Sequence, residues 1–160
     1  MLTLWGEDVS GAAARLGLDA ARCVAVDPIT DLARRRTLMR SPVTRADVVE
    51  VAHAQLGRDG GKVSVIGDSA GFVAQRILAM IVHTGCEIAQ RGIASPADID
   101  DAVRLGLGYP KGPLALGDAL DAARVFEILT RLQAITGDPR YRPSQWLRRR
   151  ALLGVPLVQP

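Results

Sequence analysis

Gly71-Phe72-Val73-Ala74-Gln75-Arg76 opens a long apolar run, Ser95-Pro96-Ala97-Asp98-Ile99-Asp100 follows it, and Leu105-Gly106-Leu107-Gly108-Tyr109-Pro110-Lys111-Gly112-Pro113 closes the stretch. Between Arg76 and Glu87 there is no Asp, Glu, Lys or Arg. The pattern predicts one helix over 70–91, apolar on nearly every face. Such a helix has to be buried in a core or against a partner subunit. Gly92 stops it. Ser95 as cap, Pro96 at the first position and Asp98 in the first turn open a second helix. Its expected inner face is Ile99, Ala102, Val103 and Gly106. Gly106 and Gly108 are expected to end it with positive φ, and Pro110 and Pro113 to fix the turn. Leu114–Leu120 reads as a short helix. Asp121 caps another, with Val125, Phe126, Leu129 and Leu132 at helical spacing, and Ser144 opens a last turn toward Arg150. The C-terminal half is thus a bundle of about four helices.

Upstream the pattern alternates. Leu2–Trp5, Cys23–Val26, the weaker Thr37–Met39 and Lys62–Ile66 read as short strands. Helical stretches lie over 10–16 and 44–56. Thr44 with Asp47 resembles a capping box, and Val48, Val51, Ala52 and Gln55 share a face. The expected class is α+β, mostly α: a small α/β segment over 1–67 and a helical domain over 68–160.

Bulk properties narrow the function. A chain of 160 residues that is 48% hydrophobic has enough apolar surface for a real core and is not disordered. The +3 net charge comes mainly from Arg34-Arg35-Arg36 and Arg148-Arg149-Arg150. These runs are far apart and aromatics are few, so they read as solvated faces, not a nucleic-acid surface. Cys23 and Cys86 lack C-x-x-C spacing, and spacing alone does not decide whether they pair. No secretory signal pattern stands at the N-terminus, and the apolar run is far short of a bilayer-spanning length, which points to a cytoplasmic protein with no membrane role.

No metal site is expected, because neither His53 nor His83 has ligands at repeating spacing. His83 reads as a hydrogen-bonded core or interface histidine. Ser64 and Ser69 lack a nucleophile elbow. Asp98, Asp100 and Asp101 read as dipole-compensating carboxylates at a helix start. Gly106-Leu107-Gly108 follows a helix, and no strand–turn–helix fingerprint for a dinucleotide is expected anywhere. The residues alone therefore offer no catalytic constellation and no cofactor site.

Over 62–143 the order of motifs resembles the C-terminal helical domain of the 3-hydroxyacyl-CoA dehydrogenases. Asp68-Ser69-Ala70-Gly71-Phe72-Val73-Ala74-Gln75-Arg76 is similar to the family's Asp-x-Pro-Gly-Phe-x-x-Asn-Arg junction. Ser95–Asp100, Gly106–Pro113, Asp118 and Gly137-Asp138-Pro139-Arg140-Tyr141-Arg142-Pro143 follow in family order. The resemblance implies a structural-motif role for Asp68, Gly71, Phe72, Arg76, Gly106, Gly108, Pro110, Gly112 and Pro113.

The resemblance implies oxidation of a 3-hydroxyacyl-CoA by NAD, which the family holds in a nucleotide-binding domain. It puts Gln75 at the position of a substrate-orienting Asn. More weakly, it puts Asp27 at the catalytic His and Thr30 at the Asn of a His-Phe-Phe-Asn-Pro stretch. Residues 1–67 then look like a remnant of a nucleotide-binding half, most like the second, degenerate copy in two-copy members. The implied role is acyl-pocket wall and dimer interface, inactive alone, with no catalytic residue and no cofactor bound by this chain. Gln75, Tyr109 and Lys111 are the pocket remnant, and Asp27 and Gln75 the degenerate catalytic positions. The implied partners are a second copy or a nucleotide-binding dehydrogenase domain, with acyl-CoA as ligand. The alternative is a stand-alone acyl-CoA-binding or oligomerisation module. Fragment, split subunit and free-standing paralogue all fit the reading.

Overall fold

The computed structural model describes residues 1–29 and 35–160, so Thr30 and Arg34 lie outside the described residues. The chain divides into two compact units, Met1–Gln75 and Arg76–Pro160. The sequence reading put the division at 67/68. It falls later because Asp68 and Gln75 bond into the first unit and Phe72 packs into its core.

In the first unit, β1 (Leu2–Thr3), β2 (Val24–Val26), β3 (Arg35–Arg40) and β4 (Lys62–Ile66) form one sheet in that order. β1 and β2 are parallel, with α1 (Val9–Leu16) between them in sequence. β3 and β4 are parallel, with α2 (Ala46–Leu56) between them. An antiparallel β2–β3 pairing, Val26 opposite Leu38, joins the two βαβ units. β1–α1–β2 is a strand–turn–helix unit of the alternating kind that the sequence predicts, with β1 shorter than the apolar run over 2–5. The core forms from Leu4, Val9, Ala12, Ala13, Cys23, Ala25, Met39 and Phe72.

α2 departs from its predicted start. Arg45 is the N-cap position and no side chain caps the helix. The Thr44 hydroxyl is buried instead, donating to the Cys23 carbonyl at 2.9 Å and accepting from the Ser41 amide at 2.8 Å. No α2 residue is fully buried. Val48, Val51, Ala52 and Gln55 do share a face, which lines an open groove with Met1, Arg22 and Val24.

The second unit holds α3 (Val73–Gln90) from Arg76 onward, α4 (Pro96–Leu107), α5 (Pro113–Ala119), α6 (Ala122–Thr136) and α7 (Gln145–Leu153). Ala79, Val82, Cys86 and Ala89 give α3 its buried stripe; Val125, Ile128, Leu129 and Leu132 give α6 its own. Asp121, Ser144 and Ser95 cap α6, α7 and α4 with their side chains, as the sequence implies. The C-terminal segment is tied down by Asp118, which accepts from the Leu157 amide at 2.7 Å, and by Trp146, whose indole donates to the Leu157 carbonyl.

Two expectations change here. α3 is not buried all round: Ile77 is 56% exposed, and Leu78, Met80, Ile81 and Ile88 are half-buried. α4 buries Ile99 and half-buries Val103, but Ala102 and Gly106 face solvent. Gly106 lies inside α4 with ordinary helical φ, and Gly108 alone ends it, at φ +70°. The thiols of Cys23 and Cys86 are both buried and free. Among the described residues, no helix is long and apolar enough to cross a membrane.

Candidate functional site

In the first unit the fold brings Asp27 and Gln75 together. Gln75 is fully buried on the first turn of α3, and Asp27 is fully buried just past β2. The Gln75 Nε2 donates to Asp27 Oδ1 at 3.0 Å and to the Leu4 carbonyl at 2.8 Å, and its Oε1 accepts from the Gly6 amide at 2.8 Å. Both amide protons are therefore engaged in the unit's interior. Asp27 also accepts from the Ile29 amide at 3.1 Å. Burial holds its carboxyl above the usual range, opposed by the bonds from Ile29 and Gln75.

That shift has a sign. For an acid whose pKa is raised by folding, the protonated form is favoured in the fold. Its contribution is full below the ordinary carboxylate pKa and is lost as pH rises through the raised value. Asp27→Asn keeps an acceptor for Ile29 and Gln75 without the ionisation. We expect D27N to have a higher urea midpoint than the parent at neutral pH. The gap should close on acidification toward about pH 4. A gap that widens on acidification would contradict this.

Asp68 closes the start of α1. Its Oδ1 accepts from the Val9 amide at 2.7 Å, and its Oδ2 accepts from the Ser10 amide at 3.2 Å and from the Ser10 hydroxyl. Asp8 caps the Gly11 amide with its side chain and the Ala12 amide with its carbonyl. Three of the amides that this helix start leaves open, those of Val9, Ser10 and Gly11, are thus taken, two of them by a carboxylate from beyond β4. In β1–α1–β2 this is where a dinucleotide pyrophosphate would need free amides and no negative charge. The residues present do not fit NAD.

Tyr109 and Lys111 belong to the second unit, apart from Gln75. With Pro110 they line a groove of about 530 Å3 whose other walls are Leu78, Ile81, Leu116, Ala119 and Leu120. Ligand pockets run from about 300 to 1,000 Å3. The loop that carries them is set by Asp100, whose carboxylate accepts from the Leu114 amide at 2.8 Å and the Ala115 amide at 2.9 Å. Gly112 is the N-cap residue of α5 and supplies no side-chain bond; Asp100 does its work. A Cβ on Gly112 would lie 2.3 Å from the Asp100 Cα. Pro113 sits at the first helical position and packs on Gly85. Asp100 therefore caps the next helix, where the sequence predicts a carboxylate that only compensates the dipole of its own. The available signal was the Gly-Pro helix start lacking a capping side chain.

Gly71 donates its amide to the Glu7 carbonyl at 3.4 Å, and Arg76 donates to the Tyr141 hydroxyl at 2.7 Å. His53 is exposed. His83 is half-buried, and its Nδ1 has no hydrogen-bond partner among the described residues, contrary to the bonded histidine expected. Burial lowers its pKa, with Glu87 opposing and Arg142 adding. Burial also pushes the Cys86 thiol up to about 12, which leaves it inert. Three described arginines of the two runs have local partners. Arg35 bonds Ser64, Arg36 pairs with Asp59, and Arg150 stacks on Trp146 with its guanidinium 3.3 Å from the ring centroid. Among the described residues, no cluster of His, Cys, Asp or Glu could hold a metal ion.

The chain is similar to known proteins over most of its length. The family model described as "3-hydroxyacyl-CoA dehydrogenase, C-terminal domain" matches residues 71–156. A 3-hydroxyadipyl-CoA dehydrogenase of Escherichia coli is 40% identical over 117 residues, 73% of this chain and 25% of that protein. A probable 3-hydroxybutyryl-CoA dehydrogenase of Bacillus subtilis is 34% identical over 115 residues, 71% of this chain and 38% of that protein. The crystal structure of a 3-hydroxybutyryl-CoA dehydrogenase from Escherichia coli superposes with a TM-score of 0.82 at 35% identity. It covers 94% of this chain and 31% of that one. The chain thus spans well under half the length of each of these relatives.

Proposed function

Because the chain belongs to the 3-hydroxyacyl-CoA dehydrogenase family and carries its C-terminal domain, we propose that it serves such an enzyme as scaffold and acyl-pocket wall and transfers no hydride alone. The bond between Gln75 and Asp27 carries this reading. The resemblance puts these residues at the substrate-orienting amide and the catalytic imidazole. Here both are sealed from solvent and hold each other, so neither is free to meet a substrate or exchange a proton with one. NAD belongs on a separate nucleotide-binding dehydrogenase domain, since the α1 start in this chain is closed by Asp68.

The groove beside Tyr109 and Lys111 is the acyl wall. The outer face of α3, with Ile77 and Met80, is the contact with a second copy, which explains a helix apolar on more faces than one bundle buries. Two buried free thiols suit a reducing, cytoplasmic setting. The groove also favours a second reading, a stand-alone acyl-CoA-binding module; acyl-CoA binding with no dehydrogenase domain present distinguishes it.

The purified chain, given NAD and 3-hydroxybutyryl-CoA, should form no NADH above the buffer blank; clear formation would overturn the scaffold reading. In sedimentation we expect a dimer that Ile77→Glu turns into monomer. A parent chain that stays monomeric at every concentration would remove the self-association claim.

A further inference from the structure

We propose that Lys111 makes the groove selective for acyl chains that end in a carboxylate, so that the CoA esters it prefers are those of dicarboxylic acids. This rests on the reading of that groove as an acyl wall. Among the described residues the lining is Leu78, Ile81, Tyr109, Pro110, Leu116 and Leu120 with Ala119, and Lys111 is its one charged member, with no carboxylate beside it. Lys111 forms no ion pair or hydrogen bond among the described residues, whereas Arg91, Arg104, Arg124, Arg131 and Arg140 of the same unit each hold a carboxylate.

An apolar slot gains affinity from each methylene it covers, about fourfold per group. By itself it favours a methyl end, because an ionised carboxylate loses its water there without a partner. Lys111 at the rim reverses that preference. Its methylene stem can lie along the apolar wall while the ammonium stays at the rim in water. A chain with a terminal carboxylate fills the slot and finds a counterion at its edge, but a plain chain finds only the stem. One flexible point charge beside an apolar wall suits a single carboxylate at the end of a hydrocarbon. The multiply charged phosphates of CoA call for several donors, and this groove has one.

The test is calorimetric titration of the full 160-residue chain with adipyl-CoA, hexanoyl-CoA and free CoA. The acyl esters match in length and differ in the terminal group. We expect adipyl-CoA to bind about fivefold tighter than hexanoyl-CoA at low salt, with the preference shrinking as salt is raised. Lys111→Met should bring the two esters within about twofold of each other, and Lys111→Arg should keep the preference. Lys111 is exposed, so neither change threatens the fold. Equal affinity of the parent chain for both esters would overturn the proposal and leave the acyl wall standing. So would a Lys111→Met loss that is as large for free CoA as for adipyl-CoA, since the lysine would then be meeting a phosphate. No binding of either ester would overturn the acyl wall and this proposal together.

Discussion

We expect Gln75→Ala to lower stability by about 3–5 kcal/mol. Gln75 is fully buried, and its amide answers three groups at once: the Gly6 amide, the Leu4 carbonyl and the Asp27 carboxylate. Truncation leaves a buried donor and acceptors without a partner and opens a cavity. Each unsatisfied group costs about 1–3 kcal/mol, and the cavity adds to it. Gln75→Leu separates the two terms, because it keeps most of the volume and loses the bonds.

Gln75→Asn is the most informative change at this site. It restores the amide type that the family resemblance places here, but the side chain is one methylene shorter. Asn cannot span from the Leu4–Gly6 backbone to Asp27, so Q75N should also be destabilised, by about 2 kcal/mol, and should gain no hydride transfer. Urea melts of the three variants check the order Ala worst and Asn mildest. An Asn variant as stable as the parent would show that the bonds do not set the geometry of this unit.

Gly112→Ala should lose about 3 kcal/mol or more. The added Cβ would meet the Asp100 Cα, Cβ and Cγ at 2.3 Å. Part of that clash is with backbone, so no rotamer of Asp100 relieves it. Separating the two segments also pulls the Asp100 carboxylate away from the Leu114 and Ala115 amides that it caps. Asp100→Ala alone should cost about 1–2 kcal/mol, the usual loss for a helix cap. Combining the two changes should not rescue Gly112→Ala, because the Asp100 Cα remains in the way. Thermal melts decide it: a double variant more stable than Gly112→Ala would place the conflict in the Asp100 side chain alone.

What could be read in advance follows from the range of the interactions. Ser95, Asp121, Ser144 and Gly108 act within a few residues of themselves, and the helices they start or stop stand where the sequence puts them. The strands over 24–26 and 62–66 were visible as apolar or alternating runs. The features that define the candidate site are long-range. Asp68 reaches back across the first unit to Val9 and Ser10, Gln75 to Leu4 and Gly6, and Asp100 forward to the next helix. Nothing in the local pattern around Asp68 distinguishes a carboxylate that closes a distant helix from a solvated one. Likewise Thr44 looks like a cap in sequence but is drawn to the Cys23 carbonyl by the approach of β2. The resemblance gave Gln75 and Asp27 as altered positions; only the fold shows that they bond to each other.

Because Asp68 occupies the start of α1, we expect the chain to hold no dinucleotide there. Equilibrium titration of NADH into the purified chain, followed by the cofactor's own fluorescence, tests this most directly. With both Asp68 carboxylate oxygens on the first α1 amides, the account predicts no saturable binding up to about 1 mM NADH. Saturable, salt-sensitive binding with a Kd below about 100 μM would contradict it, above all if Asp68→Asn tightened that binding further.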